Sequence, residues 1–168
     1  MTLVAVAEPG DIPAWLELTR EVEPLFGPMV NDPNFQAVLQ RNIGRGTAFC
    51  VREANGPVGA PLLGGLLCSF KPPVHVIGWL AVTHGHRRSG IGQALVEHFF
   101  DTVITPAELI VTTFGDDHPA GEPALRFYQH LGFRAAGPAP DGPDHTSRQI
   151  LRRVLEPSGL SVAGNRRL

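Results

Sequence analysis

Only two cysteines, Cys50 and Cys68, occur in the 168 residues, and neither lies in a Cys-x-x-Cys or Cys-x-x-His spacing. The sequence thus carries no sign of a disulfide framework, a redox pair or a cysteine-built zinc site, and two buried free thiols are expected. Charge of one sign is not in surplus either, since 14 Lys+Arg face 16 Asp+Glu for a formal net charge of -2. That balance argues against a general nucleic-acid or anionic-membrane binder and makes any anion site a local one. No window reaches the roughly 18 apolar residues of a membrane-spanning helix. The segment 1–9 has neither the basic start nor the apolar middle of a signal peptide, so a cytoplasmic protein is expected. Tyrosine occurs once, as Tyr128, and lysine once, as Lys71.

Glycine and proline, by contrast, are plentiful, at 19 and 16, and hydrophobic residues make up 43% of the chain. A chain of this length removes about 70% of its unfolded surface from water without help from a metal. The turn-forming residues cut it into short periodic segments. Strands are expected over 2–7, 47–52, 62–70, 74–82, 109–114, 133–136 and 147–155. Helices are expected from Asp11, as N-cap, to the prolines of 21–29, and again over 34–43, 91–103 and 124–131. Pro24 and Pro28 are expected to leave 21–29 as a loop. In 91–103 the residues Ile91, Leu95, Phe99 and Val103 share one face. The order β, α, α, β, β, β, α, β, α, β, β predicts an α+β domain, a single mixed and mostly antiparallel sheet flanked by helices, over 1–156. A flexible tail is expected over 157–168.

The segment 79–94, Trp-Leu-Ala-Val-Thr-His-Gly-His-Arg-Arg-Ser-Gly-Ile-Gly-Gln-Ala, carries the chemistry. An apolar strand runs into a basic, glycine-bearing turn that opens an amphipathic helix. The first turn of a helix offers unpaired N–H groups and partial positive charge, and glycine lets a phosphate approach them. Arg87 and Arg88 add charge, so a pyrophosphate is the natural ligand. No lysine follows Gly92, as a Walker A loop requires, and Leu95 stands where a dinucleotide-binding fingerprint needs its last small residue. His84 and His86 could chelate as a His-x-His pair, but no third ligand is spaced for them and the arginines would repel a cation, so no metal is expected.

Arg87-x-x-Gly90-x-Gly92 resembles the Arg/Gln-x-x-Gly-x-Gly/Ala signature of the GNAT superfamily of acetyl-coenzyme A dependent N-acyltransferases. A second block, Ala124 to Phe133, looks like the family's late Ala-x-x-x-Tyr-x-x-x-Gly-Phe helix. The resemblance spans roughly residues 47 to 155. It implies that the backbone of Leu80, Ala81 and Val82 pairs with the pantetheine arm of acetyl-CoA. It implies too that Arg87, Arg88, Ser89, Gly90, Ile91, Gly92 and Gln93 hold the pyrophosphate, and that a bulge splays this strand from 109–114 to open a V-shaped slot. Two departures stand out: the strand 74–82 lacks the carboxylate many members carry there, and Gly121 stands where an asparagine is common.

Transfer to an amine needs a neutral nucleophile, an oxyanion donor and a proton for the thiolate. Tyr128, with an ordinary pKa of about 10, suits the last task against a thiol of about 8.5; it falls where the family places its general acid. The main-chain N–H near Val82 is the expected oxyanion donor. Glu21, Glu23, Phe26 and His75 are the candidate acceptor-binding residues, the two glutamates also as a water-mediated route for the amine proton. Asp116, Asp117 and His118 read as a helix-capping turn. The expectation is an N-acetyltransferase acting on a small primary amine by direct transfer, with a possible homodimer and no nucleic-acid or membrane partner. The alternatives are a peptide N-terminus or lysine as acceptor, or a noncatalytic acyl-CoA sensing module.

Overall fold

Apolar segments bounded by glycine and proline give seven strands, and the computed structural model, which describes residues 2–157, joins them in one sheet. They are β1 (Ala5–Val6), β2 (Ala48–Arg52), β3 (Leu62–Lys71), β4 (Val74–Val82), β5 (Ala107–Phe114), β6 (Arg134–Ala139) and β7 (Arg148–Leu155), in the order β1-β2-β3-β4-β5-β7-β6. The β4–β5 pair is parallel and the other pairs are antiparallel. The mixed, mostly antiparallel sheet is therefore as expected. α1 (Ile12–Phe26) and α2 (Pro33–Arg45) pack on one face through Trp15, Leu18, Leu39 and Ile43. α3 (Ile91–Thr102) and α4 (Gly121–His130) cover the other through Ile91, Leu95, Phe99 and Tyr128. Among the described residues no helix is long and apolar enough to cross a membrane. The expected tail, beyond Pro157, lies outside the described residues.

Three local expectations are corrected. The first strand pairs only over two residues, with Ala7 N donating to Ala48 O at 2.8 Å just beyond it. α1 does not stop before Pro24 but carries it in its last turn, where the ring removes a bond to a single carbonyl, and Gly27 then closes the helix with φ +92. Asp11 does not cap α1 with its side chain. It is fully buried, accepts from Arg52 Nε and Nη2 at 3.0 and 2.7 Å, and takes the amides of Glu8 and Gly59. One carboxylate thus ties the start of α1 to the end of β2 and to the β2–β3 loop.

Both cysteines are buried, as expected. Burial pushes the Cys50 thiol up to about 11 and that of Cys68 to about 12, so neither is a thiolate at neutral pH. In the centre of β3, Gly65 lets Trp15 lie flat on the strand: a Cβ there would sit 2.8 Å from two ring carbons of this fully buried indole. Gly65→Ala is expected to cost about 1–3 kcal/mol through overpacking, read as a lower midpoint in thermal or urea unfolding.

Candidate active site

β4 holds two neighbours over unequal lengths. It pairs with β3 from Lys71↔Val74 to Gly64↔Val82, with a register shift that leaves Gly78 as an extra residue between Cys68↔Ile77 and Leu67↔Trp79. With β5 it pairs only from Val74↔Glu108 to Ile77↔Val111. Beyond that point β5 continues to Phe114 beside β7. The glycine-marked bulge therefore bends β4 away from β5 and opens a wedge between them. Thr83 N donates to Leu63 O at 2.9 Å, so by antiparallel alternation the amides of Val82 and Leu80 face away from β3, into the wedge. An extended chain carrying amides can pair there as a strand would.

The end of β4 leads directly to the glycine-bearing turn. A short 3-10 turn over His84–His86 is held by Glu21, whose carboxylate accepts from His84 N at 2.6 Å, and by Thr83 Oγ1, 3.1 Å from His86 Nδ1. Ser89 Oγ bonds to His86 O. Gly90 takes φ +86 and caps α3 without a side chain, whereas α2 is capped by Asp32, which accepts from Asn34 N. The first internal bond of α3 runs from Ala94 N to Gly90 O, so the amides of Ile91, Gly92 and Gln93 precede it and have no carbonyl within the helix. Arg87 and Arg88 are exposed beside them, with Arg87 Nε 3.4 Å from the wedge-facing Val82 O. The sequence-predicted residues from Leu80 to Gln93 are thus contiguous in space, a strand edge ending in a helix start whose first amides are free of intrahelical partners.

α4 meets this corner through its aromatic pair. A Cβ at Gly92 would lie 3.2 Å from the Phe127 ring and 3.6 Å from Val82 Cγ2, so the absence of a side chain is what lets Phe127 lie over the first turn of α3. Tyr128, the next residue, is 6% exposed and packs edge-on against Phe127 and Phe133. Its hydroxyl bonds to no described residue, and burial pushes its pKa well above the ordinary phenol value. It remains a proton donor throughout the physiological range.

The four candidate acceptor residues separate. Phe26 lies on the α1/α2 side of the wedge, stacked on Phe114 with centroids 5.3 Å apart. Glu23 is turned to its own loop, accepting from Met29 N at 2.7 Å and Val30 N at 3.2 Å, and those amides hold its pKa below the usual carboxylate value. Glu21 braces the turn after β4, as above. His75 is buried at 2% exposure against Phe70, on the α3 side, where β4 and β5 are still paired. Burial lowers its pKa, and its Nδ1 has no hydrogen-bond partner. Phe26 is the one of the four that reaches the opened part of β4, through Trp79 at 6.1 Å.

The loop before α4 is not a helix-capping turn. Asp117 reaches across to the start of β7, accepting from Ser147 N at 2.8 Å and from Ser147 Oγ at 2.6 Å. His118 Nδ1 accepts from Ala120 N at 2.9 Å, while Nε2 lies 3.5 Å from Asp144. A Cβ at Gly121 would fall 1.8 Å from Gly115 O, so this loop folds only with glycine there and leaves no room for an asparagine side chain. Among the described residues no group of three or more His, Cys, Asp or Glu is placed to hold a metal ion. Gly78 was the overlooked signal: a glycine inside an otherwise apolar strand marks a bulge.

Known structures share this fold. The ribosomal-protein-S18-alanine N-acetyltransferase of Escherichia coli superposes with a TM-score of 0.72 at 19% identity, covering 96% of this chain and 99% of its own. A GNAT-family acetyltransferase of Bacillus cereus gives 0.71 at 17% identity, covering 92% and 97%. An acetyltransferase of Thermus thermophilus gives 0.66 at 19%, covering 92% and 97%. At these identities the likeness is one of fold. No curated protein sequence matches. The description "Acetyltransferase (GNAT) domain" fits residues 44–135, more than half of the chain and the stretch from the end of α2 through the wedge, the glycine turn and Tyr128, and the chain belongs to that family.

Proposed function

We propose that this chain is an N-acetyltransferase that moves the acetyl group of acetyl-CoA to a primary amine of a small molecule, by direct transfer in a ternary complex. The observation that carries the reading is the parting of β4 from β5 after Ile77↔Val111, beside a helix start whose first amides are uncapped. Acetyl-CoA fits the residues present. An extended arm with amides suits the open edge at Leu80 and Val82, the Ala81 backbone between them being turned to β3, and a diphosphate suits the amides of Ile91, Gly92 and Gln93 with Arg87 and Arg88 beside them. When bound, acetyl-CoA supplies a thioester carbonyl as the electrophile.

The wedge-facing N–H of Val82 donates a hydrogen bond to that carbonyl oxygen as negative charge develops on it. Tyr128 gives its proton to the departing thiolate. β4 has no Asp or Glu, and Glu21 and Glu23 are held by main-chain amides, so the amine proton is released to water. Both cysteines are buried with raised pKa values, which leaves them poor nucleophiles and favours direct transfer over an acyl-enzyme. A small acceptor is favoured by the segments that stand over the outer side of the wedge. There the α1–α2 loop approaches the β6–β7 loop, Gly27 against Pro143, and Phe26 stacks on Phe114.

The test is release of free thiol from acetyl-CoA in the presence of small primary amines. Thiol release that depends on amine supports the reading, and tight coenzyme binding without amine-dependent release contradicts it. Arg88→Ala is expected to raise the KM for acetyl-CoA about tenfold, more at low salt than at high, with kcat little changed.

A further inference from the structure

The acceptor side of the wedge is walled by aromatic rings. Trp79 stands on β4 immediately beyond the Gly78 bulge, and Phe114 ends β5, so each limb of the wedge carries one ring. Phe26, from the last turn of α1, spans the two: it lies nearly parallel to Phe114 at 15° and tilted to Trp79 at 46°. Phe35 of α2 adds a fourth ring, 6.0 Å from Trp79. Phe26, Phe35 and Trp79 are only half-buried, and the Trp79 Nε1, itself sealed from solvent, has no hydrogen-bond partner. Four acidic groups around this wall are already committed. Glu23 serves the amides of Met29 and Val30, Glu21 that of His84, Asp117 serves Ser147, and Asp144 serves Thr146 and Arg148.

From this juxtaposition we infer that the acceptor is a primary amine borne on a flat aromatic body, recognised by the faces of Phe26, Phe35 and Trp79 rather than by a carboxylate. The inference rests on the transferase reading above and narrows it. Ring faces favour another ring in an offset or edge-on approach. A wall without a free carboxylate offers no ion pair to hold the amine in its charged form, so the free base that attack on a carbonyl requires is not opposed. That suits a strand that carries no carboxylate. A second cationic group on the acceptor, as in a polyamine, would be desolvated with no partner, which selects against it.

The experiment follows thiol release by the full chain at saturating acetyl-CoA with 2-phenylethylamine, spermidine and an alanine-led tripeptide. Trp15 and Trp79, the only two tryptophans, report 2-phenylethylamine binding by fluorescence. The kcat/KM for 2-phenylethylamine is expected to exceed both others at least tenfold. Phe26→Ala and, separately, Phe35→Ala each raise its KM about tenfold while the KM for acetyl-CoA stays put. Preference for spermidine or the tripeptide overturns the inference and leaves the transferase reading standing. A uniform fall in kcat for every amine in both variants also overturns it, because that is what a merely structural ring produces. Coenzyme binding with no thiol release from any amine overturns the transferase reading itself.

Discussion

Tyr128→Phe is expected to lower kcat by about 10²–10⁴-fold while the KM for acetyl-CoA changes by less than about threefold. The substitution removes one oxygen from a ring that is 6% exposed and held edge-on by Phe127 and Phe133, so the packing of α4 persists. The hydroxyl bonds to no described residue, and its loss leaves no protein group unpaired. What disappears is the proton donor for the thiolate. Because burial raises the phenol pKa, the wild-type rate should climb with pH as the amine loses its proton and show no falling limb from Tyr128 below about pH 10. A stopped assay of thiol release across pH 6 to about 10 checks both parts. Loss of acetyl-CoA affinity equal to the loss in kcat would instead assign Tyr128 to holding the coenzyme.

Asp11→Ala is expected to be the most damaging single change for stability, at about 3–5 kcal/mol, because it leaves Arg52 charged and nearly buried. The Arg52 side chain is 11% exposed, and the Gly59 and Glu8 amides lose their acceptor in the same step. At about 2–4 °C per kcal/mol for a chain of this size, the melting point should fall by roughly 10 °C. Burial alone would raise the Asp11 pKa, but the bond from Arg52 and the amides of Glu8 and Gly59 outweigh it, so the folded value lies below the unfolded one. The stabilisation is therefore complete above the unfolded value of about 3.9 and is lost as pH falls through the lower folded value. Denaturant titrations at pH 7 and at pH 3 should show the gap between wild type and variant narrowing in acid.

Local periodicity made much of this fold legible in the sequence. The face Ile91, Leu95 and Phe99 is buried as α3 requires, and β4 begins and ends where the apolar run between Pro73 and Thr83 places it. The glycine turn was equally plain, since the residues that offer amides to an anion are consecutive. What escaped depends on contacts between distant segments. Nothing near Asp11 in the chain announces Arg52 and Gly59, which only the β2–β3 loop brings to it. Pro24 predicts the end of α1, yet Phe26 beyond it is anchored on Trp79 and Phe114, and the helix runs past the proline to that residue. Glu21 and Glu23 looked alike as acidic neighbours of an apolar loop. The direction of each side chain, one to the His84 amide and one to those of Met29 and Val30, is set by the turn that follows it.

A crystal structure with coenzyme A bound measures the central geometry most directly. Density for the pantetheine arm should run along the unpaired edge of β4 at Leu80, Ala81 and Val82, with the diphosphate on the amides of Ile91, Gly92 and Gln93 and the sulfur within reach of the Tyr128 hydroxyl. Coenzyme bound elsewhere on the chain, or β4 and β5 paired through to Val82 with no ligand between them, would contradict the account.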